Sequence, residues 1–154
     1  MTPTPLRFRP VLKRTIWGGR RLGDQLGKPI GDGTDQMLHD RDEWRYRDRY
    51  AGQNPYGGHE IVWRNGQVVW MKNYIAEVTS DLRPMSEIYD FQREVLGQPD
   101  PEHLMRGPAS YSSGAFSYTN QVKGDLSRFI GTEQIFYNGE VVYRMWFHGS
   151  SIGE

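Results

Sequence analysis

Several stretches of the chain alternate between apolar or aromatic and polar positions with the two-residue period of a strand. Trp44, Tyr46, Asp48 and Tyr50 interleave with Arg45, Arg47 and Arg49, the signature of a strand with one wet face. A similar run occupies 116–122. Segments 59–64 and 67–74 flank Asn65-Gly66, and 132–137 and 140–148 flank Asn138-Gly139. Asn-Gly supplies the two positive-φ residues of a type I′ turn, so each pair reads as a hairpin. The Gly-rich stretches 52–58 and 124–131 join each first strand to its hairpin. Between the two sets the period lengthens. Met85, Ile88, Tyr89, Phe91, Gln92, Val95 and Leu96 form a largely apolar stripe at helical spacing, which predicts a helix over 85–96. Gly97 suits the position just past its end, and Pro99 and Pro101 forbid continuation. A shorter helix fits 19–26, and 28–42 reads as loop.

The two sets share more than a period. Trp44, Tyr46, Gly52, Gly58, Glu60, Asn65, Gly66, Trp70 and Tyr74 align with Phe116, Tyr118, Gly124, Gly131, Glu133, Asn138, Gly139, Tyr143 and Phe147. This reads as an internal duplication, with copies at 44–74 and 116–148. The expected fold is an α+β domain: duplicated three-stranded antiparallel units, about six strands in all, with one main helix between the copies. Residues 1–43 would form a basic arm with a short helix and loop, and 44–154 the duplicated domain, within a single globular unit.

Composition sharpens this. The chain has 154 residues, 20 of them Trp, Tyr or Phe (5, 9 and 6), no cysteine and no net charge. Aliphatics are scarce, but the neutral charge and the many rings argue for an ordered core. The missing cysteines exclude a disulfide scaffold and thiol chemistry. No apolar run is long enough for a membrane helix, and the first residues carry Arg7, Arg9, Lys13 and Arg14 without an apolar core, so neither a membrane span nor a secretory signal is expected. A soluble, cytoplasmic protein follows. Residues 1–30 carry seven basic groups against Asp24, a terminus read as solvated rather than as a nucleic-acid arm, since no nucleic-acid motif accompanies it.

For chemistry the hairpins matter most. Two-residue turns would set Glu60 opposite Met71, Val62 opposite Val69, Glu133 opposite Arg144 and Ile135 opposite Val142. Each glutamate then sits among apolar neighbours, where an unpaired carboxylate pays desolvation. Two readings follow. Glu60 and Glu133 could line one ligand pocket with Trp44, Tyr46, Trp70, Met71, Tyr143 and Arg144, suited to a cationic or polyhydroxyl ligand. Alternatively they are structural, Glu133 paired to Arg144 and Glu60 to backbone or a nearby arginine. His59 and His148 lack metal-ligand spacing. Gly149-Ser-Ser151-Ile-Gly153 matches a nucleophile elbow only formally, since no acid-histidine pair follows it. No dinucleotide or phosphate-loop motif is present. The Arg45/Arg47/Arg49 ladder could track a phosphate backbone, but Asp40, Asp42, Glu43 and Asp48 suggest a salt-bridged, solvated face. Catalytic residues, metal and cofactor are all expected to be none.

Two resemblances complete the reading. Tyr46, Asp48, Tyr50, Gly52, Gly58, Glu60, Asn65, Gly66, Trp70, Asn73 and Tyr74, then Arg106-Gly107-Pro108 and Phe147-His148-Gly149, carry a pattern over about 44–149. It resembles a bacterial family of unknown function often found C-terminal to Xre-type helix-turn-helix regulators. Residues 5–28, through Ile16-Trp17-Gly18-Gly19 to Gly27, resemble the opening of type I mannose-6-phosphate isomerases. The first resemblance implies a regulatory setting. The leading expectation is a non-enzymatic ligand-sensing or protein-interaction domain whose partner is a small molecule or a protein, not nucleic acid or membrane. The alternative is a metabolic enzyme on sugar phosphates, which the second resemblance implies.

Overall fold

The computed structural model describes residues 27–98 and 106–153. Numbered in chain order, its strands are β1 (Lys28–Pro29), β2 (Asp35–Arg41), β3 (Trp44–Gly52), β4 (Tyr56–Arg64), β5 (Gln67–Val78), β6 (Ser110–Ser113), β7 (Phe116–Asp125), β8 (Arg128–Tyr137) and β9 (Glu140–Ser151). One helix, α1 (Met85–Leu96), lies between β5 and β6. All nine strands join a single antiparallel sheet in the order β1-β2-β3-β4-β5-β9-β8-β7-β6.

The architecture is therefore mainly β, not the α+β domain of about six strands that the patterning predicts. Residues 28–42, read as loop, supply β1 and β2. Ser110–Ser113 supplies β6. These segments are rich in Asp and Ser because they lie at or next to the sheet edges, where little apolar area is buried and the main-chain ladder does the holding. Both edge strands are short, which limits unwanted pairing.

The expected duplication also gives way. β5 and β9 pair continuously from Trp70↔Ser151 to Val78↔Tyr143, so no boundary divides the sheet into two three-stranded copies. The flanks differ too, β1 and β2 lying beyond β3 and only β6 beyond β7. The recurring glycines, rings and Asn-Gly pairs mark two hairpins built to one geometry inside one sheet. Their turns are as expected: Asn65 and Gly66 have φ of 50° and 80°, Asn138 and Gly139 47° and 83°.

Just past each turn the register slips. Trp63 pairs with Val68 but Val62 with Trp70, and Phe136 pairs with Val141 but Ile135 with Tyr143. Val69 and Val142 are the extra residues of these bulges. Every pairing deduced beyond the turn is thereby shifted by one: Glu60 faces Lys72 rather than Met71, and Glu133 faces Met145 rather than Arg144.

Alternation then sorts the side chains onto two faces. The inner face holds Tyr46, Val62, Trp70, Ala76, Tyr118, Phe129, Ile135, Tyr143, Met145 and Phe147, all buried. α1 covers part of it with Ile88, Phe91 and Val95, and the Phe91 ring stacks on Phe116 with centroids 4.9 Å apart. The helix spans the expected residues, but Gly97 keeps a right-handed φ of −78° and bonds back to the Arg93 and Glu94 carbonyls. The proposed helix over 19–26 lies outside the described residues.

Rings on the inner face need somewhere to lie, and glycine provides it. A Cβ on Gly131 would stand 2.3 Å from Cζ of Phe147, whose ring is buried and packed on Phe129. Gly131→Ala should therefore cost about 1–3 kcal/mol, the usual range for overpacking. Urea unfolding should show a lower midpoint at an unchanged slope. An unchanged midpoint would mean the ring is not held there.

Candidate functional site

The inner face contains two buried acidic clusters. Glu60 is fully buried on β4. The Lys72 ammonium, directly across on β5, pairs with its Oε2, and the Tyr46 hydroxyl donates to Oε1. Lys72 is itself buried, its Nζ 5.9 Å from the ring centroids of Tyr74 and Phe147. Beside Glu60 on β3, Asp48 accepts the Tyr74 hydroxyl at 2.7 Å. Burial first, and then the Asp48 and Glu60 charges, push the Tyr74 phenol far up, so it stays protonated as a donor.

Glu133, on β8, is held by a guanidinium fork. Arg106 donates Nε–H to Oε2 at 2.8 Å and Nη2–H to Oε1 at 2.9 Å, and the Tyr118 hydroxyl donates to Oε2 at 2.6 Å. The helix joins in through Gln92, whose Nε2 donates to the hydroxyls of Tyr143 (2.6 Å) and Tyr56 (3.0 Å). Those hydroxyls lie 2.8 Å apart, and that of Tyr143 also donates to Glu133 Oε1 at 3.3 Å. Burial pushes Glu133 up, but Arg106, Tyr118 and Gln92 outweigh it and hold the carboxyl below its ordinary value. The same partner raises Arg106 despite its burial. Glu60 and Glu133 thus each have a buried cation as partner, while Asp48 accepts a hydroxyl.

The eight residues singled out from the sequence divide between the faces. Glu60, Glu133, Tyr46, Trp70 and Tyr143 lie in the buried interior. Trp70 stacks on Phe129 at 5.7 Å and donates Nε1–H to the Leu126 carbonyl. Trp44 packs at the core margin with the Arg64 guanidinium 5.3 Å from its ring. Met71 and Arg144 fall on the opposite face. The expected Glu133–Arg144 pair is replaced by Glu133–Arg106, because the bulge places Arg144 opposite Gln134, on the outer face and exposed. Glu60 takes a lysine rather than backbone or arginine. Glu60 and Glu133 share the inner face but not a row: Glu60 is level with Lys72, Gly149 and Phe129, and Glu133 with Met145, Ala76 and Tyr56. The Tyr74–Phe147–Gly131 row stands between them. Among the described residues no three His, Asp or Glu side chains are gathered as a metal site requires.

The outer face carries what the patterning missed. It bears no described helix, and three large apolar side chains stand open on neighbouring strands: Ile75 (55 % exposed), Trp146 (44 %) and Ile130 (61 %). Ile75 is the cross-strand partner of Trp146, and Ile130 lies one diagonal further on β8. Beside them the arginine ladder is neutralised as expected at Arg45 but not at Arg47 or Arg49. Asp40 takes Arg45 at 2.7 Å and Glu43 takes Arg64 at 3.0 Å, while Asp48 points to the inner face. Arg47 lies over the Trp63 ring at 5.1 Å, with Nη2 3.4 Å from His59 Nε2. Burial and the Arg49 charge depress Arg47, and burial with both arginines pushes His59 below its ordinary value. His148, the other histidine weighed from the sequence, stands exposed on this face opposite Asn73. The isomerase-like segment lies, apart from Gly27 and Lys28, outside the described residues.

A family model described as a domain of unknown function, DUF5680, matches residues 48–152 and so spans β4 to β9 with most of β3. No curated protein and no solved structure matches the chain.

Removing one partner of the Glu133–Arg106 pair leaves a buried charge unmatched. Glu133→Gln should cost about 3–5 kcal/mol, while Glu133→Leu with Arg106→Met should cost less than the two single losses together. Urea unfolding of the parent, Glu133→Gln, Glu133→Leu, Arg106→Met and the double variant checks this. The pH dependence has a definite sign. With its folded value depressed, Glu133 stabilises above its unfolded value of about 4.3, and that contribution drains away as the pH falls below it. The acid limb of the stability curve should flatten in Glu133→Gln.

Proposed function

The chain belongs to the DUF5680 family of domains of unknown function, and we propose that it is a non-enzymatic binding module that docks a protein partner on the outer face of its sheet. One observation carries this reading: Ile75, Trp146 and Ile130 stand exposed together on three neighbouring strands. An antiparallel sheet may turn one face to water, but that face is then normally polar. Adjacent exposed apolar side chains on it mark a contact surface, and a tryptophan is a common anchor in such surfaces. Charge indicates the partner. Arg45, Arg47, Arg49, Arg128, Arg144 and Lys123 share this face with Asp40, Glu77 and Asp125, so an acidic, partly apolar protein surface complements it.

Within this reading the residues found from the sequence take different parts. Met71 and Arg144 lie on the docking face. Glu60, Glu133, Tyr46, Trp70 and Tyr143 serve as framework, since the polar atoms of the first three and of Tyr143 bond one another and Lys72, Arg106 and Gln92, and Trp70 bonds the Leu126 carbonyl. A regulatory setting, with the module answering to a partner beside a helix-turn-helix regulator, is the finer part of the proposal. It rests on the resemblance over 44–149.

The tagged full chain is compared with the Ile75→Ser/Trp146→Ser variant in affinity capture from cells, and the captured protein is then purified and titrated. The variant should melt within a few degrees of the parent, because both side chains are already solvent-exposed. It should bind the purified partner at least about tenfold more weakly, as loss of an aromatic anchor does. Equal binding by the two proteins would refute the docking face.

A further inference from the structure

We propose that Arg47, Arg49 and His59 form an oxyanion site on this face that takes a phosphate monoester group. The inference deepens the docking reading and rests on it. Arg47 and Arg49 are alternate residues of β3 and so project to the same side, with His59 the cross-strand partner of Arg49. The three cationic or cation-forming groups converge without a carboxylate among them. The acid residues nearest in sequence are committed elsewhere: Asp40 to Arg45, Glu43 to Arg64 and Asp48 to Tyr74 on the other face. Asp32 in the β1–β2 turn feels the Arg49 charge, and its Oδ1 accepts from the Thr34 amide and hydroxyl rather than from an arginine.

The hydrogen-bond account is equally incomplete. The Nε–H groups of Arg47 and Arg49 are both buried with no acceptor. Arg49 satisfies one Nη on Gln36 at 2.9 Å, and the closest polar neighbour of Arg47 is the long contact to His59. A buried donor without an acceptor carries its desolvation cost unreturned, and two adjacent guanidinium groups repel each other. An oxyanion removes both penalties. It accepts from the fork of each arginine and from the imidazole, and guanidinium is the side chain whose geometry fits such an oxyanion. A dianionic phosphate monoester matches two arginine charges better than a single carboxylate does. The Trp63 ring beneath Arg47 keeps that head group extended along the sheet, and the exposed Leu38, across from Arg47 on β2, borders the site with apolar surface. A phosphorylated side chain in an acidic partner segment would supply the anion here while its neighbours reach the Ile75–Trp146 strip.

Inorganic phosphate is the first probe, titrated into the full-length protein at constant pH and ionic strength, with chloride as the balancing salt. The His59 ring resonances should move saturably with phosphate and stay fixed in the chloride control. Arg49→Gln should weaken the apparent affinity at least about tenfold, the effect expected for loss of a charge-assisted bidentate contact. Trp146→Ser should leave it unchanged. Arg49→Lys keeps the charge without the fork and should restore only part of the binding, which separates recognition from a general positive field. A phosphoserine peptide flanked by Asp and Glu should bind tighter than both its unphosphorylated parent and inorganic phosphate. The site falls if phosphate and chloride act alike or if Arg49→Gln binds as the parent does. A preference for single-stranded DNA over the phosphopeptide also overturns it, in favour of a nucleic-acid surface. Because Trp146→Ser tests docking and Arg49→Gln tests the anion, failure of the docking reading and failure of the anion site give different results.

Discussion

The buried pair of Glu133 and Arg106 is the contact on which the inner face depends. It joins β8 to the segment that follows α1, and its shell reaches β7 through Tyr118, β9 through Tyr143, β4 through Tyr56 and the helix through Gln92. Taking two charges out of water is costly, and a single pair repays it only when the remaining lone pairs and protons are matched. Here each carboxylate oxygen accepts from Arg106 and also from a neutral donor. Such a network gains little net stability over an apolar core, but it admits few alternative packings. In a chain short of aliphatics that constraint matters, because aromatic rings alone fill space loosely unless something fixes their orientation.

The Glu60 cluster solves the same problem differently. Its cation is a lysine directly across the strand pair rather than an arginine from outside the strands, and the Lys72 ammonium stands 5.9 Å from the ring centroids of both Tyr74 and Phe147. The bulge at Val62/Trp63 makes this arrangement available. Without it Lys72 would alternate to the outer face and Glu60 would be buried without a counter-charge. A one-residue slip flips every side chain beyond it, so the two extra valines decide which residues are core and which are surface. Through Trp146 and Ile75 they also decide what the outer face displays.

That dependence explains how much was legible. The strands of β3 to β5 and β7 to β9, both Asn-Gly turns and the helix over 85–96 follow from period and turn chemistry, because each is a local property. β1, β2 and β6 were missed because edge strands draw their order from a neighbour's backbone and need no apolar period. The bulges were missed because nothing in Val68-Val69 or Val141-Val142 marks which valine is the extra one. Glu60 and Glu133 were recognisable as buried acids on hairpin positions. Their partners were not: Lys72 depends on the slip, and Arg106 approaches from a segment whose course is set only by tertiary contacts. The carboxylates near the arginine ladder misled for a related reason. Closeness in sequence suggests neutralisation, and Asp40 does pair with Arg45, yet alternation sends Asp48 to the far side of the sheet and Glu43 goes to Arg64, so Arg47 and Arg49 are left to other partners.

The two faces are thus complementary results of one constraint. Every acid drawn inward to match a buried cation or hydroxyl is an acid withdrawn from the outer surface. Asp48, Glu60 and Glu133 lie inside with only Lys72 and Arg106 among the described buried residues to balance them. The described interior therefore holds more negative than positive groups, and what matters for the surface is how the remaining charges are sorted between faces. Because antiparallel alternation assigns β3's arginines to the side away from its buried aspartate, basic groups outnumber acids on the face where the apolar strip lies. A basic, partly apolar sheet face beside a rigid polar interior is the arrangement that the proposed docking role calls for: the core groups with perturbed acidity are bonded to one another, and the arginines of β3 stand on the face where the proposed partner would lie.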